Sequence, residues 1–309
     1  MRVEWKTVSL IAATYGLWFA AGQLLWPAFP ALALLAMAIL AGLHSSLVHE
    51  CLHGHPTRKR WLNELLVTMN LSLIWPYRRF RTLHLRHHHD SHLTDPFEDP
   101  ESYYKARWQV QKMPAALRTL FRMNNTMVGR IVLGPPLGAW ALITGDAQRI
   151  YEGDRQIRKD WLLHLAGLVP VLLAIWSFGI PLWLYLVTVV WGSLGLISIR
   201  TFAEHRWFET VEGRTIIVER SPLAFLFLNN NLHIVHHTHP AAPWYDLPRL
   251  FAEKRDFWVS YNKGYVFPNY GALFRAYAFR QKEWVDHPTL HTEPDLALRF
   301  ACETPQSSD

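Results

Sequence analysis

Two long stretches of the 309-residue chain carry no charged side chain. No Asp, Glu, Lys or Arg occurs from Thr7 to His49, nor from Trp161 to Ile199. Soluble helices keep one polar face, so runs of this length exclude an ordinary soluble helical core. Cysteine is scarce too, with only Cys51 and Cys302. Two thiols exclude a disulfide framework and a Cys-rich zinc site. Strand signals are weak, and only Thr215–Val218 reads as a short extended piece. Internal repeats are missing. Basic motifs with interleaved aromatics are missing as well, so the net charge of +6 does not point to nucleic acid.

Each charge-free block is roughly twice the ~20 apolar residues a helix needs to cross a bilayer. Each also carries a break near its middle: Pro27 to Pro30 in the first, Phe178-Gly179-Ile180-Pro181 in the second. The expected fold is an all-α integral membrane protein. Four transmembrane helices, at about 7–26, 29–48, 161–177 and 182–199, form two hairpins under a helical cytoplasmic cap. Leu65–Trp75 and Ile131–Thr144 are too short to span, and the second contains Pro135-Pro136. Both read as helices lying in the interface or on the cap. The cap segments, about 49–160 and 200–300, lack a long apolar pattern of their own. They are expected to fold only against each other, making 1–309 one domain with a disordered tail at 303–309.

Every Lys and Arg falls on one side of the predicted hairpins, and neither hairpin turn is charged. That side is expected to be the cytoplasm, with both termini and the middle segment there. Trp5, Trp26, Trp75, Trp161 and Trp183 fall near predicted span ends, where aromatic belts form.

Seventeen histidines are present, and their spacing is the chemical signal. His49 and His53 are four apart. His84, His87 and His88 read His-x-x-His-His, and His233, His236 and His237 repeat that pattern. Residues three and four apart share a helical face, so each group presents several imidazoles together. Imidazole suits zinc, copper, iron and nickel. Eight such ligands exceed one tetrahedral ion and suit two ions with positions left open. All three groups fall on the cytoplasmic side, just above the bilayer. His205, six residues beyond the fourth predicted span, can reach the same level as a ninth ligand. His84, His88 and His89 form an alternative set for the second group; His84, His87 and His88 are preferred because they match the third.

His44, His164, His287 and His291 stand alone and read as ordinary core or surface residues. His55, His89, His92 and His239 adjoin the groups. A ligating imidazole normally donates its outward N–H to a carboxylate or carbonyl. Glu50, Asp90, Asp95, Glu204 and Asp246 are near enough in sequence to accept. Asn230, three before His233, can share its helical face or instead cap a helix. A metal transporter would hold its ligands near the bilayer midplane, whereas these spans contain few polar ligands.

The histidine groups, in this order and topology, resemble those of the membrane fatty acid desaturase and hydroxylase superfamily. His49-Glu50-Cys51-Leu52-His53 is similar to the first box. Thr82-Leu83-His84-Leu85-Arg86-His87-His88, followed by Thr94-Asp95-Pro96, is similar to the second. Asn230-Asn231-Leu232-His233-Ile234-Val235-His236-His237, followed by Pro243-Trp244-Tyr245-Asp246-Leu247-Pro248, resembles the third box of bacterial members. Glu204-His205 resembles the extra ligand after the fourth span.

The resemblance covers about 30–250. It implies two irons, molecular oxygen and a lipid-like substrate, in a bacterial inner membrane with the site facing the cytoplasm. It further implies desaturation of a fatty acyl chain, lipid-linked or thioester, with hydroxylation of an acyl chain, alkane, carotenoid or small amphiphile as the alternative. Thr201 stands where related acyl-CoA enzymes can hold a metal-bound water with Asn. No haem-binding His-Pro-Gly-Gly or four-Cys iron–sulfur pattern occurs, so electrons are expected from a separate ferredoxin, rubredoxin or cytochrome with its reductase.

On this reading, replacing His84, His87, His236 or His237 by Ala abolishes turnover and lowers iron content, while His291→Ala does neither. Normal turnover of His236→Ala protein would remove the assignment.

Overall fold

A computed structural model of the chain describes residues 3–89 and 92–290. Asp90, His291, Cys302 and the tail at 303–309 lie outside the described residues. The fold is mostly helical, with almost no sheet. Its helices are α1 (Trp5–Leu25), α2 (Pro30–Leu52), α3 (Arg60–Val67), α4 (Tyr77–His89), α5 (Arg107–Lys112), α6 (Ala115–Asn124) and α7 (Met127–Tyr151). After these come α8 (Arg155–Ser177), α9 (Leu182–Glu204), α10 (His233–Thr238), α11 (Leu247–Glu253), α12 (Arg255–Tyr261) and α13 (Tyr270–Tyr277). Two short strands, β1 (Ile217–Val218) and β2 (Val266–Phe267), pair in parallel. β1 falls within the stretch read as extended from the sequence.

Among the described residues, five helices are long and apolar enough to cross a membrane, where the charge-free runs predict four. The additional one is α7. Its apolar run is short, but the helix extends past it at both ends because its charges have partners. Thr126 caps the N-terminus, accepting from the Gly129 N–H. Arg130 donates to the Asn124 carbonyl and to Asn125 Oδ1. Asp146 takes a two-pronged hydrogen bond from Arg79 of α4, at 2.9 and 2.8 Å, and a third from the Trp161 indole of α8 at 2.9 Å. The other four helices also outrun their apolar blocks, two of them at the ends that carry histidine. α2 continues to Leu52 and α9 to Glu204.

The expected helix over Leu65–Trp75 is overturned from Thr68 onward, so only its first three residues are helical. α3 ends at Val67, and the chain then turns. Asn70 enforces the turn: its amide donates to the Trp75 carbonyl, and its Oδ1 accepts from the Ser72 N–H. The freed carbonyls are taken up by the long helices. Tyr15 donates to Met69 O, Tyr185 to Leu71 O and His164 to Leu73 O. Buried carbonyls of a non-helical segment need such partners.

The two hairpins pack at a shared core of Trp18, Met37, Val171, Ile175, Phe178 and Tyr185. Gly22 lies so close to the Phe178 ring that an added Cβ would sit 2.3 Å from it. Large apolar side chains such as Leu24, Leu35, Trp140, Leu173 and Trp176 face outward. That pattern suits a lipid solvent, which places no penalty on exposed hydrocarbon.

The Arg79–Asp146 pair is almost fully buried on both sides. Asp146→Ala strands the guanidinium and is expected to destabilise by about 3–5 kcal/mol. The thermal transition of detergent-solubilised protein should fall accordingly, and Arg79→Met/Asp146→Leu should recover most of the loss. An unchanged transition in Asp146→Ala would mean the pair holds nothing.

Candidate metal centre

Four parts of the chain deliver the nine candidate histidines to one place. α2 carries His49 in its last turn, and His53 follows as the capping residue after Leu52. α4 carries His84, His87 and His88. His205 follows the last residue of α9, in extended backbone. α10 begins at His233 and carries His236 and His237. The turn before α10 is tight, with Leu228 and Asn229 both at positive φ. Hydrogen bonds between Asn231 and the backbone of Val218 anchor it to β1.

The nine imidazoles form two adjoining clusters. His49, His53, His84, His88 and His236 make one; His87, His205, His233 and His237 make the other. Within each, the ligand-capable atoms all lie within 4.8 Å of one another. The His88 and His237 rings, one from each cluster, stack with centroids 4.0 Å apart.

The His-x-x-His-His spacing explains this division. Residues four apart are offset by about 40° around a helix, whereas the adjacent pair differs by about 100°. His84 and His88 therefore share a cluster while His87 turns to the other. His233 and His237 likewise share the second, and His236 turns to the first. Both His-x-x-His-His boxes serve both clusters, while His49 and His53 serve only the first.

The ring chemistry fits metal binding. His84 Nδ1–H donates to Glu101 at 2.7 Å, His87 Nδ1–H to Asp99 at 2.7 Å, and His233 Nδ1–H to Asn230 at 2.8 Å. Their Nε2 atoms thus carry lone pairs, all turned inward. Nε2 of His84 lies 3.1 Å from that of His53, and Nε2 of His205 lies 3.1 Å from those of His87 and His233. Facing lone pairs repel unless a cation lies between them. Metal–nitrogen bonds of about 2.0–2.1 Å put neighbouring ligand nitrogens roughly 3.0–3.4 Å apart. Nε2 of His49, His88 and His236 is buried without a hydrogen-bond partner, an arrangement that costs free energy unless an ion is bound.

Burial also holds His53, His88, His205, His233, His236 and His237 well below the ordinary imidazole range, and neighbouring positive groups add to the effect. These rings are neutral, as ligands must be. His87 goes the other way. Burial lowers it, but Glu101, Asp99 and Glu204 outweigh that and push it up to about 9. The carboxylates around His87 thus favour positive charge at that ring.

The remaining sequence candidates divide. Asn230 accepts from His233, and no side-chain cap forms at the start of α10, so the capping alternative is overturned. Glu204 lies 3.6 Å from His233 Nδ1 and pairs with Arg200 at 2.8 Å. Glu50 accepts from the Trp244 N–H at 2.9 Å, tying the first box to the third segment. Asp95 accepts from the Phe97 and Glu98 N–H groups and shapes the turn that follows. Thr201 is half-buried one turn before His205, and Asp246 stands at the start of α11.

His89 bonds the Leu85 carbonyl, outside both clusters, which overturns the alternative second set. His44, His164 and His287 have local partners in Tyr15, Leu73 and Thr289. His55 bonds Glu4, His92 meets Glu98, and His239 packs on Trp258.

Asp99 and Glu101, the two carboxylates bonded to cluster rings, were not among the candidates. They lie 12 and 17 residues from the rings they hold. The acidic run from Asp95 to Glu101 was their only visible mark.

A helical membrane-type protein with nine imidazoles in two adjoining clusters is a candidate holder of a metal pair. Residues 24–269 match the profile described as fatty acid desaturase, and the chain belongs to that family. It is 24% identical over 238 residues to an sn-1 oleoyl-lipid 12-desaturase of Anabaena variabilis, covering 69% of this chain and 65% of that one. An sn-1 oleoyl-lipid 12-desaturase of Arthrospira platensis is 25% identical over 264 residues, 79% of this chain and 73% of its own. One from Synechocystis sp. is 26% identical over 234 residues, 68% of this chain and 64% of its own.

Asp99→Asn and Glu101→Gln are each expected to weaken iron binding about 10–100-fold. Anaerobic ferrous titration of purified protein reads this directly. Glu50→Gln should leave it unchanged. Parental affinity in both of the first two variants would show that these carboxylates do not tune the rings.

Proposed function

We propose that this protein desaturates a fatty acyl chain, using oxygen and two iron ions held by His49, His53, His84, His88 and His236 on one side and His87, His205, His233 and His237 on the other. The observation that carries the proposal is the pair of adjoining imidazole clusters, each with lone pairs converging, in a member of the fatty acid desaturase family. When bound, the irons supply the oxygen-dependent removal of hydrogen from an unactivated C–H bond. Asp99, Glu101 and Asn230 fix which ring nitrogen faces inward. Burial of the rings keeps bulk water from the reacting position.

A lipid-linked substrate is favoured. The relatives reported above are named for oleoyl-lipid. An open, apolar groove of about 480 Å³ also runs between α7 and α9, lined by Ile131, Val187, Trp191, Leu196 and Ile199. Its Ile199 end is about 9 Å along the helix from His205, at 1.5 Å rise per residue.

Four crossings are the favoured topology, with all of 1–309 as one domain. The ends of α2 and α9 must share one side, since His53 and His205 belong to adjoining clusters. The chain then crosses an even number of times between them, and α8 with α9 accounts for two. Both ends of α7 stay on the histidine side. Arg130 lies over Tyr103 and over Phe202 of the last turn of α9, and Asp146 is bonded to α4. α7 therefore lies across the bundle, with Pro135 and Pro136 inside it. The basic residues put the histidine side in the cytoplasm, where a separate electron donor reaches it.

Lipid profiling of cells with and without the gene tests the reading. Acyl chains lighter by two hydrogens are the expected product. Chains heavier by one oxygen would replace desaturation by hydroxylation, and an unchanged lipid profile would overturn both.

A further inference from the structure

The C-terminal carbonyls of a helix have no partners within it. α9 ends at the metal centre, and its last carbonyls are buried, so each needs a donor from elsewhere. The Ala203 carbonyl accepts from the Tyr265 hydroxyl at 2.7 Å, and the Glu204 carbonyl from the Ile216 N–H at 3.0 Å. The His205 carbonyl takes two donors. The Tyr103 hydroxyl reaches it at 2.6 Å and Lys282 Nζ at 2.5 Å.

Both donors are held firmly. The Lys282 N–H donates to the Asn125 carbonyl, and the Asn125 amide donates in turn to the Glu283 and Trp284 carbonyls. Lys282 Nζ also lies 3.3 Å from the Tyr265 hydroxyl and against the Phe202 ring. The Arg130 guanidinium covers the Tyr103 ring at 4.5 Å.

Of the nine ligands, His205 is the one in extended backbone, whereas His53 at the end of α2 keeps helical backbone, so no i,i+4 partner orients His205. Its backbone has already left α9, with φ −127° and ψ 147°. Its outward Nδ1 is 3.5 Å from Thr215 Oγ1, a long contact compared with the 2.7 Å carboxylate bonds of His84 and His87. The ring's placement therefore depends on its backbone being held.

We propose that Lys282, acting with Tyr103, is a positioning residue for the second metal site. It clamps the His205 carbonyl so that Nε2 meets those of His87 and His233. Lys282 lies beyond the region matched by the family, residues 24–269. The segment after α13 thereby becomes part of the metal centre. The inference rests on the two-ion reading above, and the test separates the two.

Full-length protein is titrated anaerobically with ferrous iron in detergent, and metal per chain is measured. The parent is expected to bind two ions, one per cluster. Lys282→Met should keep one at parental affinity and weaken the other about 10–100-fold. His205→Ala should weaken the same site, and Lys282→Met/His205→Ala should be no weaker than His205→Ala alone, since both changes act through one ring. Lys282→Arg should restore much of the binding.

Two ions bound at parental affinity by Lys282→Met, or additive losses in the double variant, would overturn the positioning role and leave the metal centre standing. Fewer than two ions in the parent would overturn both. Should Lys282→Met fail to fold, Tyr103→Phe decides. It removes one hydroxyl, and parental affinity at both sites would end the proposal.

Discussion

A buried imidazole offers a lone pair inward only when its other nitrogen has somewhere to send its proton. That constraint organises the histidine side of this protein. Glu101, Asp99 and Asn230 accept the Nδ1 protons of His84, His87 and His233, so their Nε2 atoms confront those of His53 and His205 at 3.1 Å. Such an arrangement is unfavourable in itself and becomes favourable around a cation. The acidic loop, the short helix α10 and the ends of α2 and α9 are all placed to sustain it.

The membrane part supplies the rigid frame. α2 and α9 extend beyond their apolar blocks and hand over His49, His53 and His205 at one level. α7 closes the frame from the side, joined to α4 and α8 through Asp146. The segment 68–76, which is not helical, fits between the long helices because Tyr15, Tyr185 and His164 satisfy its carbonyls. Polar side chains inside an apolar bundle thus hold the irregular backbone that helices alone could not.

Much of the site was legible because histidine spacing obeys helical geometry. Pairs four apart face one way and adjacent pairs diverge, so the motifs point to more than one cluster of imidazoles before any fold is known. Asn230 and Glu204 were within reach of the same reasoning. Asp99 and Glu101 were not, because they approach their rings from a loop whose path depends on the turn set by Asp95. The helix α7 outruns its apolar stretch for a related reason. Its charges shorten the apparent apolar run, and their partners Arg79, Trp161 and Asn125 lie in other elements.

Composition and periodicity by themselves determined that the chain is helical, membrane-type and equipped with histidine groups suited to two metals. These are properties of local spacing, which the chain carries in any conformation. Tertiary structure alone decided which groups meet in each cluster, which carboxylates hold them, and that a lysine after the last helix grips the backbone of His205. Those outcomes depend on which distant segments meet once the apolar surfaces are buried, and no local pattern encodes that meeting.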